Sequence, residues 1–214
     1  KLFVPTDQVG LLQKYIGSEG AAPRLHRMGT ADWARARAKA QKSVEDIADH
    51  LLEIYSARQL AKGHAFTPDD AGQREFEEAF PYEETADQLR AVAEIKRDME
   101  SEKPMDRLLC GDVGFGKTEV AVRAAFKAAM DGFQVAVLVP TTVLAQQHYQ
   151  TFAARFAEFA PKVDVVCRFR SVREQAATLH EVARGRVDIL IGTHAILNRK
   201  RVRFQNLGLL IVDE

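Results

Sequence analysis

The chain has 214 residues, 46% hydrophobic and 28% charged, the proportions of an ordinary globular protein with room for one full domain and an appendage. Thirty Lys and Arg balance thirty Asp and Glu, so no global field draws in nucleic acid and any such contact must come from local patches. Cys110 and Cys167 sit far apart in apolar runs and the six histidines show no ligand spacing, which excludes a disulfide framework or zinc site and suits buried, reduced thiols in a cytoplasmic protein; no apolar run approaches a membrane span.

In chain order, Leu2-Phe3-Val4-Pro5 has the pattern of a strand with no partner nearby, followed by an apolar patch at Leu11, Leu12, Tyr15 and Ile16. Residues 31–62 form one long helical pattern free of proline and glycine. Val44, Ile47, Leu51, Ile54 and Tyr55 fall along one face, and Gly63 is a stop signal. The early turns carry Arg35, Arg37, Lys39 and Lys42, the pattern of a solvated basic face. Residues 66–78 are polar and turn-rich and suit a connector. Phe80-Pro81-Tyr82 then precedes a cap at Thr85 and a helix over 86–100.

After Pro104 strands and helices alternate. Strands are expected at 107–111, 134–139, 163–168, 187–191 and 207–212, and helices at 117–131, 142–159 and 171–184. Short apolar strands separated by helices of this length imply a parallel sheet covered on both faces. Both ends read as cut. The chain opens on Lys1 rather than Met, and the last apolar strand stops on Asp213-Glu214.

Gly111-Asp112-Val113-Gly114-Phe115-Gly116-Lys117-Thr118 matches the phosphate loop G-x-x-x-x-G-K-[ST], with an apolar run before it and a helix-forming stretch after. Backbone N–H groups of such a loop can cradle a polyphosphate, helped by the positive end of the next helix. Lys117 would reach the outer phosphates, and the Thr118 hydroxyl would complete a Mg²⁺ shell. The loop alone allows a kinase, a GTPase, a transporter ATPase or a motor.

Three further features narrow that choice. Asp213-Glu214 ends an apolar strand, which carries acids to the sheet edge where a phosphate loop sits. Asp213 can then hold Mg²⁺ through water, while Glu214 orients or deprotonates the attacking water. Gln88, just inside a helix upstream of the loop, has an amide able to match an adenine edge, and Phe80 has a ring able to cover its face. Taken without the loop, Phe80 is core and Gln88 surface. The loops following three strands carry Thr141 and Thr142, Arg168 and Arg170, and Thr193 and His194, where hydroxyls and guanidiniums can hold nucleic-acid phosphates. Thr141, Thr142 and Ser171 are equally placed to cap helices. The run Arg199-Lys200-Arg201 with Arg203 suits a solvated loop.

Together these motifs resemble superfamily 2 helicases, with Gly111–Thr118 as motif I and Pro140-Thr141-Thr142-Val143-Leu144-Ala145-Gln146-Gln147-His148 as motif Ia. Gly192-Thr193-His194 is similar to the next DNA-contact motif, Asp213-Glu214 to the start of the D-E-x-x box, and Phe80 to Gln88 to the Q-type adenine motif. The wording of Asp106–Ala121 is similar, more narrowly, to the bacterial transcription-repair coupling factor family. So are Lys1–Pro5, Tyr15–Gly17, Leu25–Gly29 and residues 33–42, and this amino-terminal third separates that family from the RecG branch-migrating helicases.

The resemblance implies an α/β fold: a P-loop, RecA-like parallel sheet with helices on both faces, preceded by a short strand and a long helix. It divides the chain into the end of an RNA-polymerase-interaction module (1–29), a relay helix (30–64), a connector (65–79) and the first helicase ATP-binding lobe (80–214). It implies ATP and Mg²⁺ as cofactors and double-stranded DNA as the track. RNA polymerase and excision-repair proteins are implied as partners of the parent. A RecG-like helicase, or a fragment that mainly docks a partner protein through residues 1–63, are the alternatives.

Overall fold

The computed structural model describes residues 4–6, 10 and 31–213 of the chain. The expected opening strand at 2–5, the segments 15–17 and 25–29, and Glu214 lie wholly or mainly outside the described residues. The chain divides into two compact units, Lys1–Ser56 and Ala57–Glu214. Helix α1 (Ala31–Leu60) has no buried residue; its apolar stripe of Val44, Ile47, Leu51, Ile54 and Tyr55 is exposed, and the Arg35 guanidinium bonds Asp32 at 2.6 Å.

In the second unit α2 (Ala71–Glu78), α3 (Ala86–Met99) and α4 (Lys117–Met130) precede β1 (Gln134–Leu138). Then follow α5 (Thr142–Arg155), β2 (Val163–Val166), α6 (Val172–Ala183), β3 (Ile189–Gly192), a single 3-10 turn (His194–Leu197) and β4 (Leu207–Val212). The sheet has the order β2-β3-β1-β4, and every pair is parallel. Its strands point alternate residues to opposite faces, and β1 and β3 are buried on both, while the edge strand β4 leaves Leu207, Leu210 and Val212 exposed. Val135, Val137, Ile189, Ile191 and Val165 join one core with Phe76, Phe126 and Phe152, while Ala136, Leu190 and Val166 join a second with Leu179 and Val182. That accounts for the continuous apolar runs in the sequence.

One expected strand and one expected connector come out differently. Residues 107–111 form no strand among the described residues. Leu108 is 85% exposed, and Arg107 is bound to α3 through Glu94 and Asp98, each at 2.7 Å. An apolar run becomes a strand only where a neighbour accepts its ladder, and among the described residues β4 pairs with β1 alone. Cys110, expected buried, is therefore exposed, whereas Cys167 is buried. Residues 66–78 are not simply turns. Asp70 caps α2 by accepting from the Gln73 N–H at 2.8 Å, and this short helix delivers Phe76, fully buried, to stack on Phe126 with ring centroids 4.0 Å apart.

The connection between sheet edges is fixed by one buried amide. Gln134 is 3% exposed, donates to the carbonyls of Val182 and Val187 at 2.9 and 2.8 Å, and accepts from the N–H groups of Gln205 and Asn206 at 2.7 and 3.2 Å. Both ends of the amide are used, so a polar side chain sits inside the core without an unmet bond.

Candidate nucleotide site and its nucleic-acid edge

The loop 111–116 turns into α4 through two residues in the left-handed region, Gly114 (φ 85°) and Gly116 (φ 71°). Gly116 is the residue before the helix, and it has no side chain with which to cap it. The N–H groups of Gly114, Gly116, Lys117 and Thr118 find no acceptor among the described residues. Four unpaired donors at a helix start can form an anion cradle. The Lys117 ammonium bends back over the loop and donates to the carbonyls of Gly111 and, at 2.9 Å, Asp112. The residues present therefore fit a polyphosphate: bare donors, a positive helix end and one ammonium at the rim.

Gln88 fixes the far side of this loop. It belongs to the capping box of α3, accepting from the Thr85 N–H at 2.8 Å, and its amide nitrogen donates to the Phe115 carbonyl at 2.9 Å. A Cβ on Gly116 would fall 2.2 Å from that nitrogen, so the close approach needs glycine. Phe80 is half-buried, with the guanidiniums of Arg123 and Arg155 at 5.4 and 5.5 Å from its ring centre, and it packs edge-on against the exposed Tyr82.

Asp213 follows β4 at the carboxyl edge of the sheet, where its N–H donates to the Leu138 carbonyl at the end of β1 (2.9 Å). Lys117, Thr118 and Asp213 line one cleft of about 370 Å³, which opens between the 107–109 segment and β4. Oδ2 of Asp213 lies 2.7 Å from His148 Nε2.

The candidate nucleic-acid residues lie on the loops after β1, β2 and β3, adjacent strands of the same parallel sheet, and so share one edge with Asp213. Thr141 caps α5, accepting from Leu144 N–H at 3.2 Å, and Thr142 is the first residue of that helix. Arg168 is exposed. Arg170 is partly committed, 3.3 Å from Asp164 and 5.5 Å from the Tyr149 ring centre. Thr193 precedes the 3-10 turn without capping it, and His194 is exposed. Ser171 forms a full capping box with Glu174, and its bond holds that carboxyl below its ordinary range.

Residues 85–214, well over half of the chain, match the DEAD/DEAH box helicase family. The chain belongs to that family. It is 56% identical over all 214 residues to a transcription-repair-coupling factor of Bacillus subtilis (strain 168), and 52% identical to the one of Staphylococcus aureus (strain USA300). It spans 18% of the length of each. A solved structure of RecG bound to a three-way DNA junction is similar over 76% of this chain and 22% of that one, at 40% identity and a TM-score of 0.70. Membership places the domain in the helicase class of nucleotide-driven enzymes. Among the described residues no helix is long and apolar enough to cross a membrane.

Within this helicase domain, sequence reasoning missed the residues that brace the site. Arg123 is 3% exposed and bonds Glu119 at 3.0 Å and Glu84 at 2.6 Å; Arg155 reaches the same Glu119 at 2.8 Å. Burial works against the Arg123 charge, but its bonds to Glu84 and Glu119 outweigh that and raise its pKa; the Arg123 bond likewise holds the Glu84 carboxyl low. Only the i,i+4 spacing of Glu119 and Arg123 was visible as a signal. His148, quoted in the motif Ia wording, carried no sign of its partner 65 positions away.

Proposed function

We propose that this chain is the ATP-binding lobe of an ATP-dependent double-stranded DNA translocase of transcription-coupled repair. Its parent, in the cytoplasm, displaces stalled RNA polymerase and recruits excision-repair proteins. The observation that carries the reading is the single cleft that Lys117 and Thr118 share with Asp213. In this reading the bare N–H groups of the loop and Lys117 bind the phosphates of ATP. Thr118, and Asp213 through water, hold Mg²⁺, which when bound neutralises phosphate charge. Glu214 orients the attacking water. Phe80 and Gln88 take the adenine, with Gln88 also holding the loop's shape. Thr141, Thr142, Arg168, Arg170, Thr193 and His194 follow a DNA backbone by its phosphates without reading bases.

The division into polymerase-side end (1–29), relay helix (30–64), connector (65–79) and motor lobe (80–214) belongs to the same proposal. Transcription-repair-coupling factors match along the whole chain, whereas the RecG likeness covers 76% of it, which favours the former over a branched-DNA helicase. Preference of the parent for forked over linear duplex would favour the latter.

Titration calorimetry with Mg²⁺ and ATP tests the site. Charge-assisted hydrogen bonds contribute about 1.5–3 kcal/mol, so Lys117→Ala weakens binding roughly 10–150-fold while leaving the fold intact by circular dichroism. Unchanged affinity would remove the basis of the proposal.

A further inference from the structure

His148 is placed for a task that none of the motif assignments gives it. It lies in the middle of α5, two turns beyond Thr141, and its side chain is 11% exposed. Nε2 meets Asp213 Oδ2 at 2.7 Å, while Nδ1 is buried and has no partner. Buried polar groups are nearly always satisfied, so the one hydrogen bond this ring makes, through Nε2, is the contact that its position serves. What it holds is a carboxylate that lines the same cleft as Lys117 and Thr118. Asp213 Oδ1 has no protein partner among the described residues. The backbone of Asp213 is fixed independently, through the Leu138 carbonyl at the end of β1. Asp213 is thus anchored on both sides of the loop 139–141, by the strand that enters it and the helix that leaves it.

We propose that His148 is the positioning residue for Asp213. It holds Oδ2, leaves Oδ1 for a metal-bound water, and ties that carboxylate to the helix beginning at the candidate nucleic-acid residues Thr141 and Thr142. The inference rests on the nucleotide reading above. A group that orients a metal-holding side chain typically changes metal affinity by about 10–100-fold when removed, although it never touches the metal. A displacement of α5 by a strand bound at its amino end reaches the carboxylate through a single imidazole.

The test measures ATP affinity of the 214-residue chain in Mg²⁺ and in EDTA. The unaltered chain binds more tightly in Mg²⁺. His148→Ala keeps the EDTA affinity, since the phosphate loop is untouched, and loses about tenfold of the Mg²⁺ enhancement. His148→Gln, whose amide reaches where Nε2 does, recovers most of it. A merely structural histidine would move both affinities together. Asp213→Ala supplies a second arm that does not disturb the core: adding His148→Gln or His148→Ala to it changes the Mg²⁺ enhancement no further. An undiminished enhancement in His148→Ala, or losses that add in the double variant, would overturn the inference. Failure of the unaltered chain to bind ATP in either condition would overturn the nucleotide reading itself, and with it this one.

Discussion

Replacing Gly116 by alanine separates two demands that meet at one residue of the phosphate loop. Its φ of 71° lies in the left-handed region, which an L side chain enters at about 1–2 kcal/mol. The new Cβ would also stand 2.2 Å from Gln88 Nε2, the end of a flexible side chain that can retreat. The steric cost is therefore the hydrogen bond to the Phe115 carbonyl that Gln88 gives up, about 0.5–1.5 kcal/mol. The sum is about 1.5–3.5 kcal/mol. Gly114 is the internal control. Its φ is 85°, but nothing lies within 4 Å of its Cβ position, so Gly114→Ala carries only the backbone part. Urea unfolding of the three proteins gives the two losses, and the Gln88→Ala background shrinks their difference toward zero. Equal losses for the two alanine variants, or a difference that survives removal of Gln88, would refute the assignment of Gln88 as the brace of this loop.

Arg123→Ala leaves Glu84 unpaired and Glu119 to Arg155 alone, beside a hole where a 3% exposed cation stood, and stability falls by about 1–3 kcal/mol in urea melts; a loss under about 1 kcal/mol would contradict the bracing role. Acid weakens the fold through carboxyls held low. Burial pushes Asp69 and Asp131 up, but bonds from Lys127 and Lys96, and from Thr67, outweigh it; Glu84 and Glu174 are lowered chiefly by their bonds to Arg123 and Ser171. Their folded pKa values lie below the unfolded ones, so this stability is complete above the ordinary carboxylate range near about 4 and drains away as pH falls through the lowered values. Melting temperature held flat from neutral pH down to about pH 3 would oppose that sign.

Local chemistry was legible in the sequence, and distant pairing was not. The phosphate loop is eight consecutive residues, and the caps at Thr85 and Ser171 act on neighbours three positions on, so each could be seen in place. Helices α3, α4 and α6 follow their apolar spacing to within a residue or two at each end. Residues 107–111 misled because apolar composition does not say whether a neighbouring strand offers its edge. Helix α2 was hidden by its polar surface and by a length of eight residues, although Asp70 and Phe76 were its signals. Arg123 with Glu84 and His148 with Asp213 join positions 39 and 65 apart, and no local pattern connects them.

The helix behind the phosphate loop carries its second buried cation one turn beyond the first. Lys127, 4% exposed, reaches Asp69, Glu100 and the Thr67 carbonyl, while Arg123 reaches Glu84. Three of these four partners, together with Phe76, precede or flank residue 85, where the family match begins. A piece trimmed to that boundary would leave Arg123 with Glu119 and Lys127 with Glu100, each cation short of its other partners, and would uncover the Phe126 face on which Phe76 stacks. The stretch from Phe66 to Glu84, ahead of the shared helicase sequence, is thus built into the packing and charge pairing of this domain's own core.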